Sequence, residues 1–336
     1  MNIPFHKPFV PKSFDEIYSE SIHNGWLTTG PIVQDFENTI SKYTNSNYVI
    51  AVNSCTAGLH LALASKEFNK DDKFIVPTYT FAASVEVGEY LNMKPVLIDC
   101  DDDYNIDLNQ VEHCINNDSS IKAVIPVHFA GKPVNMSDLK EMTAKKGIFV
   151  LEDAAHALEA ESNLGKIGDT EDAVAFSFYA NKNITTAGEG GAVCTNDEIL
   201  AKKIRMLSLH GMSKDAWSRF SNDGYKHYKV EMAGFKYNMP DIQAAIGIHQ
   251  LKKIDEFTIK RERIWKLYLK EFKNLPVNLP SDIEKDTTHA YHLFNICLDQ
   301  NKTNIKRDDF LNKMNNNRIG VGIHYESIPM HPYYQK

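Results

Sequence analysis

Short apolar segments of strand length alternate with helical patterns between residues 48 and 195, and this alternation constrains the fold more than any other feature. Strands are predicted over residues 48–52, 73–76, 95–98, 123–127, 148–151, 173–178 and 191–195. These segments show little apolar–polar alternation, which is typical of strands that are covered on both faces. The pattern predicts an α/β fold with a mostly parallel seven-stranded sheet between helices.

The character of the chain changes after residue 239. Residues 241–251 and 253–272 carry apolar side chains at helical spacing, residues 289–299 are predicted to form a strand, and residues 306–317 a further helix. The 336 residues exceed the usual size of one domain. We therefore expect a large domain over residues 1–245 and a smaller α+β domain over residues 246–336.

Composition and charge disfavour several classes of protein. Hydrophobic residues make up 43% and charged residues 24%, as in globular chains, and the net charge of −7 disfavours nucleic acid as a partner. Residues 1–8 lack a signal-peptide pattern, and no apolar run has the length of a membrane span. The five cysteines form no C-x-x-C pair, which disfavours disulfides and a metal site. We therefore expect a cytoplasmic protein with reduced thiols and no membrane partner.

The loops after the predicted strands indicate chemistry, because parallel sheets bind ligands at the carboxyl ends of their strands. Residues 53–58 (NSCTAG) lead into a helix, whose free amides favour a phosphate, although an ordinary N-cap explains the same residues. Asp153 follows the strand at 148–151, where it either approaches a planar ligand or forms a salt bridge or helix cap. Most lysines are solvated, but Lys182 lies between a buried strand and a glycine-rich turn, which suits a nucleophilic amine in a cleft.

Together the three loops match the requirements of pyridoxal 5′-phosphate. A lysine can form a Schiff base with this cofactor, a carboxylate can keep its pyridine nitrogen protonated, and a helix start can bind its phosphate. Phe81, in the loop after the strand at 73–76, is either a ring that stacks on the pyridine or a core residue. The sequence therefore predicts a pyridoxal-phosphate enzyme.

Longer segments of the chain resemble the DegT/DnrJ/EryC1/StrS sugar aminotransferases, which are pyridoxal-phosphate enzymes of fold-type I. The similar segments are residues 25–31 (GWLTTGP), 53–58, 77–82 (PTYTFA), 152–156 (EDAAH), 176–182 (FSFYANK), 188–191 (GEGG), 234–245 (GFKYNMPDIQAA) and 323–325 (IHY). They follow the family order over essentially the whole chain. The resemblance implies the fold-type I aminotransferase fold. It also implies further C-terminal residues, since relatives continue past the His-Tyr segment.

The resemblance implies roles for single residues. Lys182 is similar to the lysine that binds the cofactor and moves a proton during the reaction, and Asp153 to the partner of the pyridine nitrogen. His156 lies where relatives place a residue near the 3′-oxygen of the ring. The other implied contacts are Thr56, Ala57 and Ser177 to the phosphate, Phe81 to the ring face, Asn238 to the phosphate of the neighbouring subunit, and Trp26, His324 and Tyr325 to the substrate.

The function implied by the resemblance is amino-group transfer from L-glutamate to a nucleotide-linked keto-sugar, by a homodimer that shares its active sites across the interface. We expect a 4-keto-6-deoxyhexose as the sugar and a surface polysaccharide, such as the O-antigen of lipopolysaccharide, as the destination. The alternatives are a 3-keto-sugar and a catalytically idle homologue that only binds the cofactor. Related sugar dehydratases carry His in place of Lys182, and an amino-acid aminotransferase needs an arginine clamp, which cannot be assigned to Arg307 or Arg318.

Overall fold

The computed structural model describes residues 2–10, 16, 17, 19, 23, 26–212 and 229–335. Nine strands lie within residues 48–195 of the described chain, and seven of them form the central sheet. In chain order they are β1 (Tyr48–Val52), β2 (Lys73–Pro77), β3 (Lys94–Ile98), β4 (Ile121–Val124), β5 (Phe149–Asp153), β6 (Glu161–Ser162), β7 (Gly165–Lys166), β8 (Ala173–Ser177) and β9 (Gly191–Thr195). Strands β6 and β7 pair separately as a small hairpin.

The sheet has the strand order β1-β9-β8-β5-β4-β2-β3. Strands β3, β2, β4, β5 and β8 pair in parallel, whereas β9 pairs antiparallel with both β1 and β8. Every strand of this sheet except β9 therefore runs in the same direction. The carboxyl ends of β1, β2, β5 and β8 open on one edge, and the prediction of a mostly parallel seven-stranded sheet is confirmed.

Helices cover both faces of the sheet. Val49 and Ala51 of β1 pack into one core cluster, and their neighbours Ile50 and Val52 pack into another, as expected for a strand with alternate side chains on opposite faces. None of the described helices is long and apolar enough to cross a membrane. The helices are α1 (Pro31–Thr44), α2 (Cys55–Ser65), α3 (Ala83–Glu89), α4 (Leu108–Asn117), α5 (Met136–Ala144), α6 (Glu198–Leu207), α7 (Asp241–Leu251), α8 (Ile254–Phe272) and α9 (Arg307–Asn316).

The C-terminal part differs from the prediction at residues 289–299. Only β11 (Cys297–Leu298) is a strand there, paired antiparallel with β10 (Val277–Asn278). The residues before β11 lie instead against the turn that contains Gly131. The amide of Ala290 donates to the carbonyl of Gly131 at 2.9 Å. The prediction of a strand over residues 289–299 is therefore wrong for most of its length.

Ring packing explains the apolar pattern that suggested this strand. Trp265 of α8 is buried, and its ring centroid lies 4.6 Å from that of His289 and 4.8 Å from that of Phe294. The predicted boundary at residues 245 and 246 falls within α7, which packs against α1. The division into two domains at this position stays a prediction.

A buried carboxylate ties β1 to the helices beside it. Glu37 of α1 accepts the amide of Ala51 at 2.8 Å and pairs with both terminal nitrogens of Arg205 of α6, at 3.0 and 2.8 Å. Arg205 also donates to the carbonyl of Val49 at 2.8 Å. Burial raises the pKa of Glu37, and the Arg205 charge opposes this rise. One ion pair thus holds two helices on one strand.

We predict that Arg205→Ala lowers the free energy of unfolding by about 2 kcal/mol, because the Glu37 carboxylate stays buried without its cation. Lys202→Ala on the same helix removes only an exposed pair with Glu198 and is the matched control, with an unchanged urea midpoint. Urea denaturation followed by circular dichroism measures both variants. Equal midpoints for Arg205→Ala and the wild type would contradict the role assigned to this pair.

Candidate active site

The carboxyl ends of β1, β2, β5 and β8 surround a cavity of about 240 Å³. The loops after these strands line it, together with a segment from the C-terminal part of the chain. The predicted site residues that line the cavity are Thr56, Phe81, Asp153, His156, Ser177, Lys182, His324 and Tyr325. The topology of the sheet therefore brings most of the predicted site together.

Asp153, the last residue of β5, is buried where it lines the cavity. The hydroxyl of Ser84 donates to its Oδ2 at 2.7 Å, and the amide of Ala155 donates to its Oδ1 at 3.1 Å. These partners are a hydroxyl and a turn amide, so the salt-bridge and helix-cap interpretations do not describe this carboxylate. Cys55 Sγ lies 3.9 Å from Oδ1, and burial together with the Asp153 charge raises the pKa of this thiol.

Lys182 is half-buried in the turn that follows β8. Its amide donates to the carbonyl of Tyr179 at 2.9 Å, and Gly188 closes the turn with a φ of 106°, a region that favours glycine. Burial lowers the pKa of Lys182, whereas Asp153 and Cys55 act in the opposite direction. A lower amine pKa increases the neutral fraction, which is the nucleophilic form.

Helix α2 begins at the cavity. Ser54 caps it, because its Oγ accepts the amide of Ala57 at 3.1 Å, so this amide is occupied and Ala57 does not line the cavity. Cys55 and Thr56 do line it, and amides in the first turn of a helix have no partner within the helix. A Cβ on Gly191 of β9 would lie 2.5 Å from the Ser54 carbonyl carbon, so a larger residue at position 191 would collide with this helix start. The Ser54 cap therefore occupies the amide of Ala57 and leaves Cys55 and Thr56 at the cavity.

Aromatic and imidazole rings form another part of the lining. Phe81 is 62% exposed, which excludes the interpretation as a core residue. The Tyr325 ring centroid lies 6.1 Å from that of Phe81, and the Tyr325 hydroxyl lies 3.2 Å from Nε2 of His156. Burial, with the charge of Lys182, lowers the pKa of His156 well below its ordinary value. His156 is therefore a neutral imidazole at neutral pH.

Asn238 and Trp26 do not line the cavity of their own chain. Asn238 donates to Oγ1 of Thr29 at 2.7 Å and accepts from Lys236 at 2.7 Å, while Trp26 Nε1 donates to the carbonyl of Thr29 at 2.9 Å. Gly25, the first residue of the predicted segment around Trp26, lies outside the described residues. The contacts expected of Asn238 and Trp26 stay predictions.

Sequence analysis missed several residues at and behind the site. Ser84 orients Asp153 but belongs to α3, beyond the loop that indicated binding. Asn183 and His292 are joined by a hydrogen bond of 2.6 Å beside Lys182, and His292 lies in the segment expected to be a strand. The sequence signal for this pair was the position of Asn183 directly after Lys182.

The arrangement suits a flat ligand that carries a phosphate and a carbonyl group. An amine of lowered pKa, an oriented carboxylate, an open helix start and an exposed aromatic ring converge on one cavity. Each of these groups corresponds to a part of pyridoxal 5′-phosphate, so the residues present fit this cofactor.

Comparison with known proteins agrees with this chemistry. The sequence matches the DegT/DnrJ/EryC1/StrS aminotransferase family over residues 11–336. It is 40% identical to the spore coat polysaccharide biosynthesis protein SpsC of Bacillus subtilis, over 99% of this chain and 86% of SpsC.

Two solved structures extend the similarity to the fold. Helicobacter pylori PseC, an aminotransferase involved in the biosynthesis of pseudoaminic acid, has a TM-score of 0.90 and 28% identity, with 100% of this chain and 88% of PseC covered. DesV of S. venezuelae, solved in complex with a ketimine intermediate, has a TM-score of 0.87 and 28% identity, with 98% of this chain and 87% of DesV covered.

These similarities confirm the predicted family, the fold-type I architecture and the cofactor. The match covers nearly the whole chain, and the coverage of the relatives is almost as complete. The chain belongs to the DegT/DnrJ/EryC1/StrS aminotransferase family and is a pyridoxal-phosphate-dependent enzyme.

Proposed function

We propose that this enzyme transfers the amino group of L-glutamate to the keto group of a sugar carried on a nucleoside diphosphate. The observation that carries the proposal is the convergence of Lys182, Asp153 and the start of α2 on one cavity. The names of SpsC and PseC, which refer to polysaccharide and pseudoaminic acid biosynthesis, support a sugar as the amino acceptor.

The substrate is proposed to be a 4-keto-6-deoxyhexose, and the product to enter a surface polysaccharide. The relationship to SpsC supports this destination, because that protein is named for spore coat polysaccharide. The reaction is proposed to take place in the cytoplasm. The free thiol state of the five cysteines supports a reducing compartment.

When bound, pyridoxal phosphate supplies an electron sink that acidifies the hydrogen on the carbon bearing the amino group. Lys182 would hold the cofactor through Nζ, and its free amine would move a proton to or from that carbon as general base and acid. Asp153, oriented by Ser84, would keep the pyridine nitrogen protonated. The amide of Thr56 would bind the phosphate, and Phe81 would cover a face of the ring.

The active unit is proposed to be a homodimer. Phe81 lines the cavity yet is 62% exposed in one chain, which leaves room for a second subunit to cover it. Asn238 and Trp26, which the family resemblance assigns to the site, lie outside the cavity of their own chain. A partner subunit that supplies Asn238 would complete the phosphate contacts.

We predict an absorbance band near ~420 nm for the purified holoenzyme, and its shift to ~330 nm when L-glutamate is added, as the cofactor takes up the amino group. Nucleotide-linked 4-keto-6-deoxyhexose should then restore the first band. The matched 3-keto isomer is the control and should not restore it. A shift with L-aspartate but not with L-glutamate would refute the assigned donor.

Lys182→Ala is expected to abolish the ~420 nm band and to reduce transamination by about 1,000-fold or more, because both the covalent link and the proton carrier are lost. Lys145→Ala, which removes an exposed ion pair with Glu141, is the control and should retain full activity. Steady-state assays and absorbance spectra measure both variants. Transamination above a few per cent of the wild-type rate in Lys182→Ala would remove this lysine from the mechanism.

Asp153→Asn is expected to reduce kcat by about 100-fold while cofactor still binds, because a neutral amide no longer keeps the pyridine nitrogen protonated. Ser84→Ala is the graded control, since it keeps the carboxylate charge and removes one of the hydrogen bonds to Asp153, together with the contact between Ser84 and Thr80, at a cost of about tenfold. Kinetic assays at saturating cofactor separate the two effects. A wild-type rate in Asp153→Asn would be incompatible with the assignment.

A further inference from the structure

A buried set of polar contacts connects α8 to the loop that carries Lys182. Arg261 of α8 pairs with the buried carboxylate of Glu159 and donates to the carbonyl of Ala290 at 3.3 Å. Glu159 Oε2 accepts Nδ2 of Asn183 at 2.5 Å, and the same Nδ2 lies 3.3 Å from the carbonyl of Ala290. Asn183 directly follows Lys182, so these contacts hold the end of its loop.

The orientation of the Asn183 amide decides where His292 carries its proton. Because Nδ2 faces a carboxylate and a carbonyl, the atom that faces His292 is Oδ1, which lies 2.6 Å from Nδ1 of His292. An amide oxygen only accepts, so His292 must donate from Nδ1. Burial, with the charges of Lys182 and Arg261, lowers the pKa of His292 well below its ordinary value. His292 is therefore neutral, with a bare Nε2 that is buried and has no hydrogen-bond partner in the described part of the chain.

His156 stacks on this ring and carries its own proton on the other nitrogen. The two ring centroids are 4.4 Å apart and the planes are inclined by 30°. The amide of Ala130 donates to Nδ1 of His156 at 3.3 Å, so the neutral ring is protonated at Nε2, which faces the Tyr325 hydroxyl. The carbonyl of Ala130 accepts the amide of His292 at 3.0 Å. One turn residue therefore holds both imidazoles in place.

We propose that His292 is a positioning residue for Lys182, which it acts on through its hydrogen bond to Asn183. The bond fixes the loop of Lys182 against the stacked imidazoles and keeps water away from the amine. This inference rests on the proposed role of Lys182 and assigns the residues that hold this lysine in place.

The loss of the hydrogen bond between Asn183 and His292 is expected to change the pKa of Lys182. An unpaired Asn183 Oδ1 draws water into the loop, and a wetter lysine has a pKa closer to its ordinary, higher value. The ionisable groups that act on or are influenced by Lys182 are Asp153, Cys55, His156, His292 and His324. Those that face His292 are Lys182, Arg261, His156, His289 and His324.

Two substitutions at residue 292 separate the hydrogen bond from the ring. His292→Phe keeps a stacking ring and loses the donor, whereas His292→Asn places an amide nitrogen near the position of Nδ1 and loses the ring. The readout is the pH titration of the visible absorbance of the holoenzyme without substrate, which follows the proton on Nζ of Lys182 in its link to the cofactor. Water stabilises this cation as it stabilises the free ammonium group, so the midpoint moves in the same direction as the pKa of the free amine. We predict that His292→Phe raises the midpoint by about one pH unit relative to the wild type. His292→Asn is expected to keep the midpoint within a few tenths of a pH unit of the wild-type value. In steady-state transamination with L-glutamate as the donor, His292→Phe should reduce kcat about tenfold with the KM for L-glutamate within about twofold.

His289→Phe is the matched control, since His289 is a buried histidine of the same segment whose ring packs on Trp265 rather than on His156. Both His292→Phe and His289→Phe are expected to lower the melting temperature. Only His289→Phe is expected to leave the absorbance midpoint unchanged. Equal midpoints for the wild type, His292→Phe and His289→Phe would overturn the inference.

Two further results keep the test decisive. If His292→Phe does not fold, Asn183→Leu removes the acceptor of the same bond and must show the same upward shift, and an unchanged midpoint there overturns the inference. A visible band that survives Lys182→Ala refutes the proposed role of Lys182 and with it this inference. If the visible band requires Lys182 but its titration midpoint is unchanged by substitution of His292, only the inference about His292 is refuted.

Discussion

The common direction of six strands is the constraint on which the rest of the structure depends. Parallel pairing brings the ends of β2, β5 and β8 to one edge, and the antiparallel return of β9 brings the end of β1 to the same edge. Residues far apart in the chain therefore share one partly dry cavity. Burial there lowers the pKa of Lys182, and the Asp153 charge opposes this decrease.

Most of the fold could be predicted because its strands are uninterrupted apolar segments that are covered on both faces. β1 and β9 begin and end where the pattern predicts, and the loops that follow β1, β5 and β8 lie at the cavity. Such loops are identified by chain position alone, since parallel strands leave only one edge for them. The prediction of a pyridoxal-phosphate site needed no further tertiary information.

The remainder depends on contacts that a linear pattern does not contain. Residues 289–296 are rich in apolar and aromatic side chains, which favoured a strand, yet their amides bond to a turn and their rings pack on Trp265. The pairing of Asn183 with His292 joins residues that are 109 positions apart in the chain. Ala57 and Thr56 could not be distinguished either, because only the Ser54 cap decides which amide is occupied. The secondary-structure propensities of neighbouring residues do not predict any of these contacts.

The place of β9 in the sheet has a consequence for the order of assembly. β1 touches the rest of the sheet only through β9, which is the last of the seven strands in the sequence. In a chain emerging from the ribosome, β1 therefore has no partner strand until residues 191–195 have been synthesised, whereas β2, β3, β4, β5 and β8 can pair before then. The start of α2, which follows β1, is consequently among the last parts of the cofactor site to be completed.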